Sequence, residues 1–306
     1  MKKTYLIMAA AALTFAACSN ENDIVENAPV AAQVNAGISD LALTRAAGTA
    51  WNEGDQIGVS TVGEGNTKYP NVLYTISDAS KGSFTSAAPV YFQDTNPVTF
   101  SAYYPYTADG GTVEKTIAAA DQEADAQKKI DYLFASGATA NKDNPTVSFT
   151  KQGDKDYSFH HKMVKLDFTF KKGADTDLKD MTDFTVGGLK LAGTFNTTNG
   201  EAKVTDDAVA TDLKIKETPT ESDTYYRSLI LFPQAVEGKS FNISLTLGGQ
   251  TYKATLLLPD GKAEFESGYK YAYTITVNKT ALSVLQAEIS DWSNGGSNVD
   301  GNATLQ

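Results

Sequence analysis

Cysteine is almost missing from this chain of 306 residues. The single thiol, Cys18, excludes a disulfide framework, and with only two histidines no Cys/His zinc cluster can be built. Little material is left for thiol or imidazole catalysis, and no metal or cofactor is expected. Arginine is nearly as scarce, at Arg45 and Arg227 alone; subtracting two from 26 basic residues leaves 24 lysines. There is no excess of positive charge: 26 Lys and Arg against 37 Asp and Glu give −11, which repels a phosphate backbone and argues against nucleic-acid binding. Long apolar runs are also lacking. The only sizeable one ends at Ala17, and its core from Tyr5 spans about 13 residues where a membrane-spanning helix needs about 20, so a polytopic membrane protein is excluded. What remains is 41% apolar and 10% aromatic content over a length that suits two domains, each with an ordinary core.

The first residues carry a sorting pattern. Lys2 and Lys3 precede an apolar stretch, and Leu13-Thr14-Phe15-Ala16-Ala17-Cys18 closes it with small residues just before the sole cysteine. This fits a bacterial lipobox: residues 1–17 form a signal peptide, and Cys18 receives the acyl chains that anchor the protein in the outer membrane. Glu21, Asp23 and Glu26 follow within a polar tether, and an acidic stretch here is similar to the signal that places Bacteroidetes lipoproteins on the cell surface.

Beyond the tether, apolar residues recur at every second position. Val164, Leu166, Phe168 and Phe170 alternate with polar residues, as do Phe241 to Leu247 and Tyr271 to Val277. Shorter runs at 56–62, 98–104, 146–150, 184–191, 225–232, 252–258 and 282–289 follow the same period, separated by turn dipeptides such as Asp109-Gly110 and Asp260-Gly261. Short, evenly spaced strands without βαβ alternation or a fixed repeat predict an all-β protein of sandwiches. The one helix-like stretch, 117–129, reads as a solvent-facing excursion. The polar run Lys151 to Asp156 predicts a boundary between an N-terminal sandwich, 46–153, and a C-terminal one, 154–306.

No arrangement points to catalysis. Gly-x-Ser-x-Gly is absent, and Gly238-Lys239-Ser240 lacks the first glycine and the helix of a phosphate loop. His160 and His161 are adjacent, so on a strand they face opposite ways and suit packing or hydrogen bonding rather than one metal. Asp175 with Asp177, and Asp206 with Asp207, lie in polar turns where charge is solvated. A glycan-stacking platform would draw on Trp51, Tyr103, Tyr104 or Trp292, although alternating aromatics equally fill a sandwich core.

Arg45 lies in Ala42-Leu43-Thr44-Arg45-Ala46-Ala47-Gly48, small and polar enough to enter a protease, whereas Arg227 falls within a strand. Upstream, Val30, Ala32, Val34, Ala36 and Ile38 alternate as a candidate strand within the 18–45 leader. Cutting the Arg45–Ala46 bond would part it covalently from the body and expose a groove for strand addition. The residues leave this reading open beside another, in which 30–38 is a permanent edge strand.

Several motifs together are similar to one family: Thr44-Arg45-Ala46, Trp51-Asn52-Glu53-Gly54-Asp55-Gln56-Ile57-Gly58-Val59, Phe100 to Tyr106, Asp131 to Ala135, Phe159 to Leu166, Leu231-Phe232-Pro233, and Gly268-Tyr269-Lys270-Tyr271 closing at Ile289 to Trp292. In this order and spacing they resemble the fimbrillin family of Bacteroidetes, the Mfa-like pilus subunits. The resemblance implies two transthyretin-like β-sandwiches in tandem and a non-enzymatic outer-membrane lipoprotein. It further implies cutting by an arginine-specific maturation protease and polymerisation with other fimbrial subunits by strand exchange. On this chain Cys18 would be the lipid site, Arg45-Ala46 the scissile bond and Val30 to Ile38 the departing strand, with adhesion as the purpose. The tail Ser293 to Gln306, rich in Gly, Asn and Ser, departs from a typical donor segment, which keeps a non-polymerising tip adhesin or a monomeric glycan-binding lipoprotein as the alternative.

Overall fold

The computed structural model describes residues 29–39, 50–279, 281–284 and 287–292. Cys18, Arg45, Ala46 and the tail from Ser293 lie outside the described residues. The chain is all-β, as the period-2 pattern requires, and its apolar side chains gather into two clusters.

The first cluster lies under an eight-stranded sheet. Its strands run in the order Thr146–Phe149, Gln33–Ala36, Ser83–Thr85, Val72–Asp78, Gln56–Val62, Val98–Tyr104, Leu133–Ala140 and His160–His161. Only the pairing of Thr146–Phe149 with Gln33–Ala36 is parallel; the other neighbours are antiparallel. The fully buried Ile57, Val59, Phe100, Val147, Phe149 and Phe159 form the centre of this core.

The second cluster lies between two sheets. One orders Thr224–Leu231, Val164–Lys172, Tyr269–Asn278 and Ala281–Val284, with Glu288–Asp291 also on Tyr269–Asn278. The other orders Ala210–Lys216, Met181–Lys190, Ser240–Leu247 and Gln250–Leu257. Phe168 and Phe184 meet edge-to-face at 4.9 Å between centroids, and Phe241 meets Tyr273 at 5.4 Å in the same way. The alternation read at 164–170 and 271–277 is therefore the inward row of two neighbouring strands of one sheet, and that at 241–247 the inward row of a strand in the facing sheet.

Three features differ from the sequence reading. The expected 282–289 strand is two strands, both pairing with Tyr269–Asn278. The polar run at 151–156 is a small exposed hairpin, Lys151–Gln152 with Lys155–Asp156, but elements cross it: Thr112–Thr116 pairs with Ala192–Asn196, and Tyr132 stacks on Phe195 at 4.6 Å. The 117–129 excursion is a 3-10 turn, Ala119–Gln122, and a single α turn, Ala124–Gln127; most of it faces solvent as expected, but it is anchored at two points. Ile117 and Gln122 are buried against the second core, because Gln122 bonds to a strand there.

Candidate assembly site

The expected leader strand sits inside the first sheet. Gln33–Ala36 is flanked on one side by Thr146–Phe149, with Val34 opposite Val147 and Ala36 opposite Phe149, and on the other by Ser83–Thr85, with Val34 opposite Phe84. The open alternative of a permanent edge strand does not describe it: both edges are paired. Val30–Ala31 continues into a separate ladder with Tyr91–Phe92.

Alternation aims the small apolar residues inward. Ala32, Val34 and Ala36 are buried, while Val30 and Ile38 at the two ends are half-buried, with Ile38 packed on the same core. Main-chain bonds complete the seat. Gln33 N–H donates to Pro145 C=O at 2.9 Å, Ala36 N–H to Gly82 C=O at 2.8 Å, Gly37 N–H to Phe149 C=O at 2.8 Å and Ser39 N–H to Phe159 C=O at 2.8 Å. Asn35 on the outer face accepts from the Ser83 hydroxyl at 3.1 Å.

Two residues shape this seat: Trp51, which the sequence offered as a ligand contact, and Gly82, which no sequence pattern singled out. Trp51 lies edge-on to Phe84 and Phe159, each at 5.1 Å, and its indole N–H donates to Ala36 C=O at 2.8 Å. Gly82 adopts φ +63°, and a Cβ there would stand 2.1 Å from the Ala36 carbonyl oxygen, so only glycine allows the strand to come this close. Both contacts join residues apart in sequence, so neither partner could be read from the local pattern.

The rings considered for ligand stacking are committed elsewhere. Trp51 is 7% exposed and Tyr103 2% exposed, with the Tyr103 hydroxyl donating to Asn71 Oδ1 at 2.7 Å. Tyr104 packs edge-on against Trp51 and donates to Asp55 Oδ1 at 3.2 Å; burial first, and then the Asp55 carboxylate, push its phenol far above the usual range. Trp292 lies flat on His161 at 4.0 Å. No stacking platform forms from these four, because their faces are spent on the cores.

The histidines part as strand geometry requires. His161 is buried and Nδ1 lies 2.7 Å from Asp131 Oδ1, whereas His160 is half-exposed, its imidazole held below its ordinary value by burial against the opposing pull of Asp156. A cavity of about 210 Å³ lies between His160–Lys162 and Ser267–Tyr269, closed by Asp291 and Trp292. Its walls are tied by structural bonds: Ser267 Oγ donates to Lys162 C=O and Trp292 N–H to Gly268 C=O. Asp177 caps a turn by accepting from Lys179 N–H, and Asp206 and Asp207 are exposed. Among the described residues, no group of three His, Cys, Asp or Glu side chains could hold a metal.

Arg227 is held within Thr224–Leu231, as expected, with its side chain 14% exposed. Nε lies 3.4 Å from Glu217 Oε1 and Nη2 lies 3.5 Å from Glu123 Oε1. Glu217 is 3% exposed and accepts a short hydrogen bond from the Tyr225 hydroxyl. Burial raises the Glu217 carboxyl despite these partners, and burial together with Glu217 pushes the Tyr225 phenol up to about 12.

Comparison with known proteins agrees with this architecture. A Bacteroides uniformis protein described as a candidate fimbrium subunit, Fim1C, is 32% identical over 330 aligned positions, covering 99% of this chain and all of the relative. A crystal structure of a candidate cell adhesion protein from Bacteroides ovatus superimposes with a TM-score of 0.73 at 28% identity, covering 87% of this chain and 99% of the other. The tip fimbrial protein Mfa3 of Porphyromonas gingivalis, with a C-terminal truncation, shares the fold with a TM-score of 0.51 at 12% identity, covering 87% of this chain and all of the other. The fimbrillin-like family model matches residues 44–292, most of the chain, and the protein belongs to that family.

Proposed function

We propose that this chain is a structural subunit of a cell-surface fimbria, exported as an outer-membrane lipoprotein through Cys18, cut after Arg45, and assembled by replacing its leader strand with a strand from a neighbouring subunit. Attachment is the purpose of the filament. The observation that carries this reading is the seat of Gln33–Ala36. It is an interior strand bonded on both flanks, yet its downstream link to Trp51 runs through the segment that holds Arg45. One cut there leaves the strand attached by non-covalent contacts alone. Its removal would open two strand edges and a slot lined by Trp51, Phe84 and Val147, the setting for strand addition. Membership of the fimbrillin-like family and the fimbrium-subunit relative support the same reading. The two sandwiches would be of transthyretin type, and partners would be other fimbrial subunits and an arginine-specific protease. The alternative of a monomeric glycan-binding lipoprotein gains little from these aromatic residues, of which Trp51, Tyr103 and Trp292 are buried and Tyr104 packs on Trp51.

The test is limited digestion of the soluble chain from residue 19 with an arginine-specific protease, followed by intact mass and size-exclusion chromatography. A single cut after Arg45, with loss of the leader and appearance of ladders or filaments, is expected. An Arg45 that resists cutting, or a cut product that keeps its leader and stays monomeric, would remove the assembly mechanism.

A further inference from the structure

In the second half, the side of the sandwich has two outermost strands, Ala210–Lys216 in one sheet and Thr224–Leu231 in the other. Outermost strands carry main-chain groups that invite another chain. Antiparallel geometry sends both main-chain groups of every second residue away from the neighbouring strand. On Thr224–Leu231 these outward residues are Tyr226, Ser228 and Ile230, since the main chain of Ile230 is met from outside. Gln122 Nε2 donates to Ile230 C=O at 2.9 Å, and Ile230 N–H donates back to Gln122 Oε1 at 2.9 Å. Gln127 Nε2 donates to Ser228 C=O at 2.7 Å and reaches Gln122 Oε1 at 3.2 Å. One primary amide thus makes the paired donor and acceptor contacts of a β-partner residue, and a second extends the row. Gln122 is 1% exposed, so these bonds are shielded from water. Glu123, next in sequence, adds its carboxylate to Arg227 of the same strand.

We propose that the Ala119–Gln127 segment is an edge guard, whose two glutamine side chains occupy the hydrogen-bonding positions of an absent strand and close Thr224–Leu231 to pairing with the same strand of a second copy. An antiparallel pairing of one strand with its own copy across a two-fold axis is self-complementary, and an open Thr224–Leu231 edge would offer it. Tyr226, at the far end from Gln122, is 72% exposed and marks where such a pairing would extend. The guard does not depend on leader exchange. It confines strand addition to a chosen place, whatever that place is, and it explains why a polar side chain is buried where the sequence suggested a free excursion.

The test uses the soluble full chain from residue 19 carrying Arg45→Ala, so that leader release plays no part. Gln122→Met keeps length and packing and removes both bonds to Ile230. Expected is about tenfold faster hydrogen exchange at the Ile230 amide in dilute, monomeric protein, the loss of one hydrogen bond, together with an elution position that moves from monomer to dimer as concentration rises. Gln127→Met, at a more exposed position, removes only the Ser228 contact and gives a weaker shift of the same kind, which serves if Gln122→Met does not fold. Unchanged Ile230 exchange in folded, monomeric Gln122→Met would overturn the proposal. So would variants of both kinds that stay monomeric at all concentrations with circular dichroism like the parent.

Discussion

Replacing Val34 by alanine tests whether the leader is an integral strand that can nevertheless be released. Val34 is 2% exposed and stands between Val147 and Phe84 on the two flanking strands. The change deletes two methyl groups at about 0.8 kcal/mol of transfer energy each, and a small cavity adds to this, for a loss of about 2 kcal/mol. With a urea dependence of roughly 2 kcal/mol per molar, the unfolding midpoint falls by about 1 M. Trp51 reports the transition, because its indole N–H is bonded to the leader at Ala36 C=O. Gln33→Ala, on the exposed face of the same strand, is the control and should shift the midpoint by less than about 0.5 kcal/mol equivalent. After cleavage at Arg45 the same 2 kcal/mol no longer acts on folding alone. It appears as leader release about 30-fold faster, read by the rate at which the cut peptide separates from the body. A Val34→Ala midpoint matching the control would refute the seat described here. A lowered midpoint with unchanged leader release would leave the strand structural and refute its role in exchange.

Gly82→Ala should cost more than Val34→Ala in the same urea assay, since its Cβ collides with the Ala36 carbonyl and its φ of +63° is unfavourable for any side chain; a midpoint within error of the parent would show that the strand can shift without loss. Asp78 accepts hydrogen bonds from Ser80 and pairs with Lys81, which hold its carboxyl down at about 2 against an ordinary 3.8. A depressed carboxyl stabilises the fold above its ordinary value and loses that contribution as pH falls toward 2, so Asp78→Asn should flatten the parent's loss of stability over that window, measured by urea midpoints at each pH. Arginine-specific digestion of the native chain should leave Arg227 intact, because its side chain is 14% exposed and paired with Glu217, while urea-unfolded chain is cut there; native cutting at Arg227 would contradict its place in the sheet. Residues 1–45 carry three basic and four acidic side chains, so the processed body keeps −11 minus −1, or −10, and its assembly should quicken as salt rises from about 0.05 to 0.5 M; slower assembly would argue against repulsion as the barrier.

Much of the fold was legible because one buried face writes itself into a strand at every second residue. The Gln56–Val62 and Val98–Tyr104 strands fall where the alternation placed them, and the rows at 164–170, 241–247 and 271–277 line one core. Pairing is less visible. The split at 282–289 turns on where Tyr269–Asn278 ends: Ala281–Val284 folds back along its last residues and Glu288–Asp291 returns along its first, and the apolar period is the same for either arrangement. The anchoring of the excursion was hidden for a related reason. Alanines and mixed charge describe a helix exposed to water, whereas the groups that fix this segment are main-chain atoms of Ser228 and Ile230, about a hundred positions further on. Aromatic residues carried the weakest signal, since a ring that stacks on a ligand and a ring that fills a core obey the same alternation.

The candidate site shows the same division between pattern and partner. Alternation from Val30 to Ile38 announced a strand, but its interior position depends on a parallel neighbour, Thr146–Phe149, far along the chain. The composition of the strand bears on how it can be exchanged. Ala32, Val34 and Ala36 bring little side-chain volume to the core, so most of what holds the strand is a double row of main-chain bonds, each worth about 1 kcal/mol net. Trp51 and Gly82 reinforce that bias, because both address the carbonyl or the close approach of Ala36 rather than a distinctive side chain. A slot built this way selects for an extended backbone with small residues at alternate positions and asks little else of the sequence. An interior strand is ordinarily hard to replace, and here the features that make it interior are those that another chain's backbone could supply equally well.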